Sequence, residues 1–124
     1  MSPKDVALTA YERWNAGDTA GFLAMLPDNA VFCVPGSTRI SGDHDKAGFR
    51  RVLDDVTALT TQGRHRQEMI CTYESESGVV VLFDTYVGDE GKYHSMHEWI
   101  FRDGALIAWM LYVHEFDRFA RVWA

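Results

Sequence analysis

The sequence predicts an α+β domain in which three N-terminal helices pack on a strongly curved antiparallel β-sheet, as one unit over residues 1–124. Three observations carry this. Apolar residues recur at helical spacing through most of the first sixty or so positions, the period changes to two from Arg64 onward, and the segments SESG, GDEGK and RDG then separate four strand-like runs. Helices followed by strands is the order of an α+β domain with helices on one face of the sheet, not of alternating β/α units. A chain of 124 residues buries about two thirds of its unfolded surface, enough for a core.

The elements follow in order. Ser2, Pro3 and Asp5 form a capping-box start, and Ala7, Ala10, Tyr11 and Trp14 make one apolar face of the first helix. Gly17 ends it, and Asp18 caps a short second helix carrying Phe22, Leu23, Met25 and Leu26, which Pro27 stops. NAVFCV is a short strand, apolar on both faces and so expected to be central, closed by a Pro35-Gly36 turn. STRISGDHD reads as a loop with a further N-cap. Phe49, Val52, Leu53, Val56 and Leu59 mark the longest helix, which Gly63 ends. Met69, Cys71 and Tyr73 then alternate with Glu68, Ile70 and Thr72. VVVLFDTYVG, the run through YHSMHEWIF, and ALIAWMLYVHEFD complete an antiparallel meander. A long, twisted sheet wrapped on helices makes a cone whose open mouth is a natural cavity.

Composition narrows the function classes. A net charge of −6 with no basic run beyond paired arginines disfavours a nucleic-acid partner. There is no stretch of 18 apolar residues and the start is polar and acidic, so neither a membrane span nor a secretory leader is expected, and the expected location is the cytoplasm. Cys33 and Cys71 sit in apolar runs and read as small buried hydrophobes. Nucleotide loops and nucleophile elbows are missing, so the chemistry is expected to need no cofactor.

The segments AYERWNAGDTAGFLAMLPDNAVFCVPG, SGDHDKAGF and FRDGALIAW resemble the SnoaL-like and ketosteroid-isomerase-like branch of the NTF2-like superfamily. The resemblance implies a cone-shaped fold, a homodimer through the sheet, and a pocket that in different members isomerises, cyclises, hydrates, dehydrates or only binds small molecules. Fold alone does not choose among these. The position matching the isomerase base is Val34 and that matching its first-helix tyrosine is Ala10, while Phe49 keeps an aromatic of the third helix. His97 matches the protonated aspartate of the oxyanion hole. The Asp-Arg-Asp set of epoxide hydrolases falls on Phe83, Val81 and Leu111, with Trp109 matching a pocket tryptophan. A cyclase-type aspartate falls on His114, Glu115 or Asp117, according to how the chain end is aligned.

Alternation places Tyr93, Ser95, His97, Trp99 and Phe101 on one face of the penultimate strand, and His94, Met96 and Glu98 on the other. The first set is the better cavity wall. An offset of three on a strand sends His94 and His97 to opposite faces, which argues against a metal pair. A buried His97 stays neutral and able to exchange a proton near pH 7; equally, it is a core imidazole satisfied by a carbonyl or a tyrosine hydroxyl. On the last strand, counting from Gly104 brings Glu115 towards the mouth, whereas counting from the FD end brings His114 inward. Trp14, Phe32, Val34, Phe49, Val81, Phe83, Trp99, Trp109 and Leu111 are expected to line a cavity for a flat hydrophobic ligand.

These residues lead to an expected cofactor-independent enzyme that isomerises, cyclises, or eliminates or hydrates a hydrophobic cyclic or aromatic small molecule. His97, Glu115 and His114 are its candidate catalytic groups, and Trp99 and Trp109 hold the substrate. The alternative is a non-catalytic ligand-binding or dimeric assembly module, favoured by Val34 at the base position.

Overall fold

The computed structural model describes residues 1–124, apart from the side chain of Glu90. Helices α1 (Pro3–Asn15), α2 (Thr19–Ala24) and α3 (Lys46–Thr61) pack on a six-stranded sheet of β1 (Val31–Val34), β2 (Gly42–His44), β3 (His65–Ser75), β4 (Gly78–Val87), β5 (Lys92–Arg102) and β6 (Ala105–Val113), and a last helix, α4 (Phe116–Val122), follows. The predicted α+β cone is the observed architecture, with a sheet that curves without closing.

The first helix starts as its sequence dictates. The Ser2 hydroxyl accepts the Asp5 amide at 3.2 Å, and the Asp5 carboxylate accepts the Ser2 amide at 3.1 Å, so two of the orphan donors at the helix end are satisfied reciprocally. Asp18 and Asp45 cap α2 and α3 through the amides of Gly21 and Gly48. These caps anchor three amphipathic helices whose apolar sides close one face of the sheet.

The strand order is β2-β1-β6-β5-β4-β3. β3 to β6 form the expected meander, and β1 runs parallel to β6 with Phe32 opposite Trp109. A bulge at Met69/Cys71 and a register shift at Ile100/Phe101 bend the sheet round the helices. Gly78 allows the tightest approach: a Cβ there would come within 1.9 Å of the Trp99 carbonyl oxygen, so β4 lies against β5 only because this residue has none.

The structure differs from the sequence reading at several places. The segment read as the loop STRISGDHD contains β2, an edge strand that pairs with β1. β1 is buried through Phe32 and Val34, while Val31 is exposed and Cys33 half-exposed, so it is apolar on both faces but buried on only one. Both cysteines are free and half-exposed rather than buried, because they lie on the sheet's outer surface. The last strand ends at Val113. Glu115 takes a left-handed conformation, φ 57°, which breaks the extended backbone and starts α4.

α4 folds Phe119 and Trp123 back against the open end of the cone, and the Trp123 carbonyl accepts the Arg39 amide at 3.0 Å. The interior is aromatic: Phe32 stacks on Phe49 at 4.5 Å, Phe49 meets Trp109 at 4.9 Å, and Trp99 is wholly buried. Among the described residues no helix is long and apolar enough to cross a membrane.

Candidate functional site

β5 places alternate side chains on the inner face of the sheet, and Tyr93, Ser95, His97 and Trp99 are all buried there. On the opposite helix, Tyr11 sits on the apolar face of α1, and its hydroxyl reaches across the core to β5. It accepts the Trp99 indole N–H at 2.8 Å and lies 2.7 Å from Nδ1 of His97. Trp109 Nε1 lies close to Tyr11 without hydrogen-bond geometry and is enclosed without a partner.

This network fixes the protonation of His97. An indole nitrogen only donates, so among the described residues the one acceptor within reach of the Tyr11 hydroxyl proton is Nδ1 of His97. Nδ1 therefore accepts, and the proton of the neutral ring resides on Nε2. Burial first, and the nearness of His65 second, push the His97 pKa from its ordinary 6.5 down to about 3, so the ring stays neutral across the physiological range. Burial pushes the Tyr11 phenol up and keeps it protonated. Nε2 makes no hydrogen bond among the described residues and is not sealed in by neighbouring atoms, which leaves it as the ring's polar edge towards the cavity.

That cavity has a volume of about 80 Å³. Of the residues expected to line it, Trp14, Val34, Phe49, Trp109 and Leu111 do so together with His97. Phe32, Val81, Phe83 and Trp99 do not: they are buried in the packed layer behind the wall, and the His97 ring is held at 4.7 Å both by Phe83 in that layer and by Trp109 in the wall itself. The volume is small because α4 plugs the mouth with Phe119 and Trp123, which both line it. A second, polar hollow of about 390 Å³ shares Trp14, His65 and Gln67 with the first and is walled by Thr57, Thr60 and Thr61.

His114 and Glu115 stand elsewhere. The expected strand stops before either can alternate inward, and both are exposed outside the cavity; Glu115 Oε2 pairs with Arg118 at 3.3 Å. His94, on the outer face of β5, has Nδ1 2.6 Å from Asp84 Oδ1 and is turned away from His97. Among the described residues no three of His, Cys, Asp or Glu converge as a metal-binding group.

Two functional candidates escaped the sequence reading. Ala10, which the resemblance matched to the isomerase tyrosine, is fully buried, and the phenol comes from the next residue, Tyr11. Its place on the apolar face of α1 was readable; its partner, 86 residues away, was not. The other is His65, first residue of β3, which is 9% exposed and lines both hollows. A buried histidine opening a strand otherwise exposed along much of its length gives no periodic signal.

Comparison with known proteins agrees with this architecture. Residues 7–109 match the profile of the SnoaL-like domain. Among solved structures, a protein of unknown function with a cystatin-like fold from Xanthomonas campestris shares 16% identity over 100% of this chain and 99% of its own, with a TM-score of 0.86. A candidate polyketide cyclase from Pseudomonas putida KT2440 shares 16% over 100% and 99%, with a TM-score of 0.71. TerC, co-crystallised with polyporic acid, shares 20% over 97% and 96%, with a TM-score of 0.77. No curated protein matches the chain in sequence. At such identities the likeness establishes the fold alone, but the profile covers most of the chain: this protein belongs to the SnoaL-like domain family, within the NTF2-like superfamily.

Proposed function

We propose that the protein binds a small, flat, largely apolar molecule bearing an acceptor oxygen, and carries out cofactor-independent proton-transfer chemistry on it. The observation that carries this reading is the buried, neutral His97, whose Nδ1 is occupied by Tyr11 and whose Nε2–H is left for a ligand. In a largely apolar, aromatic cavity a fixed neutral donor stabilises negative charge developing on a carbonyl or phenolic oxygen, and does so without reorganising. His97 then serves as the oxyanion partner. Trp109, Phe49 and Trp14 offer ring faces to a flat ligand. Relatives include a candidate polyketide cyclase and a protein crystallised with polyporic acid, both compatible with aromatic, oxygen-bearing ligands.

The cavity sets a size limit. At about 80 Å³ it takes no more than a single small ring unless the α4 plug shifts, so larger ligands must reach into the polar hollow beyond Trp14. The experiment is to add 2-cyclohexen-1-one and phenol separately to the uniformly ¹⁵N-labelled protein and follow the His97 Nε2–H resonance. Saturable shifts of that resonance, with His97→Gln weakening binding at least tenfold, are the expected result. Binding unchanged in the variant would remove His97 from the site.

One observation favours a second reading, a non-catalytic ligand carrier: among the described residues no aspartate or glutamate lines the inner cavity, and the isomerase-base position is Val34. Recovery of a tightly held apolar metabolite, with no turnover of related compounds, would decide for it.

The partner we propose is a second copy of the chain. The outer sheet surface carries Val31, Met96 and Tyr112 exposed and Cys71, Leu82 and Met110 half-exposed, an apolar face suited to a homodimer. Sedimentation equilibrium should give twice the chain mass of 14.1 kDa, and a single-chain mass at micromolar concentration would refute it.

A further inference from the structure

The proposed reaction needs a group that takes a proton, and neither carboxylates nor the His97 tautomer supply one. From the geometry we infer that His65 is the proton acceptor of the cavity, facing His97 as its donor, and that the ligand is an enolisable carbonyl compound of about one ring. This inference rests on the reading of His97 given above.

Three observations carry it. His65 lines the same small cavity as His97, so one small ligand can touch both rings. Its two nitrogens make no hydrogen bond among the described residues, yet neither is sealed in by neighbouring atoms. A neutral imidazole carries one proton and one in-plane lone pair, and in His65 that lone pair is unclaimed. Trp123, with its ring centre 6.4 Å away, packs beside His65 without taking the pair. Finally, His65 also borders the polar hollow beyond Trp14, a route by which its proton exchanges with solvent. Burial lowers its pKa from 6.5 to about 4, which leaves the ring unprotonated and ready to accept at neutral pH.

The step balances within the site. The α-carbon–hydrogen bond of the ligand breaks, the proton goes to the free nitrogen of His65, and the electron pair becomes the carbon–carbon double bond of an enolate. The charge on the enolate oxygen is held by the Nε2–H of His97. Return of the proton from His65 to the same carbon gives exchange, and to the γ-carbon of an unsaturated ketone gives isomerisation. No oxidant, reductant or metal enters.

The test uses cyclohexanone in D₂O, with α-deuteration read by ¹H NMR and binding read in the same samples from the His97 Nε2–H shift. The wild type is expected to speed exchange well beyond the buffer rate. His65→Gln should lower that rate at least a hundredfold while leaving the dissociation constant within threefold, a split that a merely structural role would not produce. His65→Ala should regain part of the rate with added imidazole. Full exchange in His65→Gln, or a wild type that binds the ketone without exchanging it, overturns the inference. Should both variants fail to fold, exchange by the wild type alone decides. A wild type that does not bind cyclohexanone refutes instead the reading of His97 on which this one stands.

Discussion

His94 and His97 lie three residues apart on β5 and have become different chemical objects. The outer ring is exposed and faces Asp84, with water to share the load. The inner ring is 6% exposed, gripped by three aromatic neighbours, and has its tautomer chosen by a phenol from another element. The difference teaches that the residue type alone decides little. The pleat decides which side each histidine takes, and the helical layer decides what that side means.

The comparison can be broken from either face, and the inner one should give the largest effects. Trp99→Ala removes a wholly buried indole and its hydrogen bond to Tyr11, and should cost about 3–5 kcal/mol in a urea titration, a large share of a typical domain's stability.

Acid comes next. His97 and His65 have folded pKa values of about 3 and 4 against 6.5 unfolded, so between those limits the unfolded chain binds more protons than the folded one. Stability is therefore fully present above pH 6.5 and is lost as pH falls towards 4, with a limiting slope of about 1.4 kcal/mol per pH unit for each histidine. Denaturation midpoints across that window should show the loss, and His97→Gln should remove its share.

Tyr11→Phe is subtler. It strips the donor from Nδ1 of His97 and leaves the buried Trp99 N–H without its acceptor, for about 1–3 kcal/mol, and it frees the His97 tautomer. Ligand affinity should fall with it in a binding titration. Smallest are the outer changes: Met96→Glu should shift the dimer equilibrium in sedimentation while monomer stability moves by less than about 0.5 kcal/mol, and His94→Ala should move stability equally little.

Much of the fold was legible because it is written locally. Capping boxes, helical spacing and Gly-containing turns fall within a few residues of one another, and the alternation of YHSMHEWIF was enough to place His97 inward. The site was only half legible. His114 and Glu115 do not reach the cavity because one left-handed residue, Glu115 itself, ended β6 and set α4 going, a backbone event that the apolar run before it conceals. In RFARVWA, Phe119 and Trp123 are four apart, yet a seven-residue helix held by long-range packing has almost no periodic signature of its own. Phe32, Val81, Phe83 and Trp99 were on the correct face but one layer too deep, since alternation gives direction and not depth. Tyr11 and His65 meet their partners only after the chain has folded, and no spacing rule reaches across 86 residues.

The proposed chemistry turns on one proton. Long-range ¹H–¹⁵N NMR of the imidazoles, recorded from pH 7.5 down to pH 4.5, reads it directly. His97 is expected to keep a neutral Nε2–H, with Nδ1 showing the shift of a hydrogen-bonded acceptor, throughout that range, while His94 remains solvent-exposed on the opposite face. A His97 that gains its second proton near pH 6.5, or that carries its single proton on Nδ1, would contradict it.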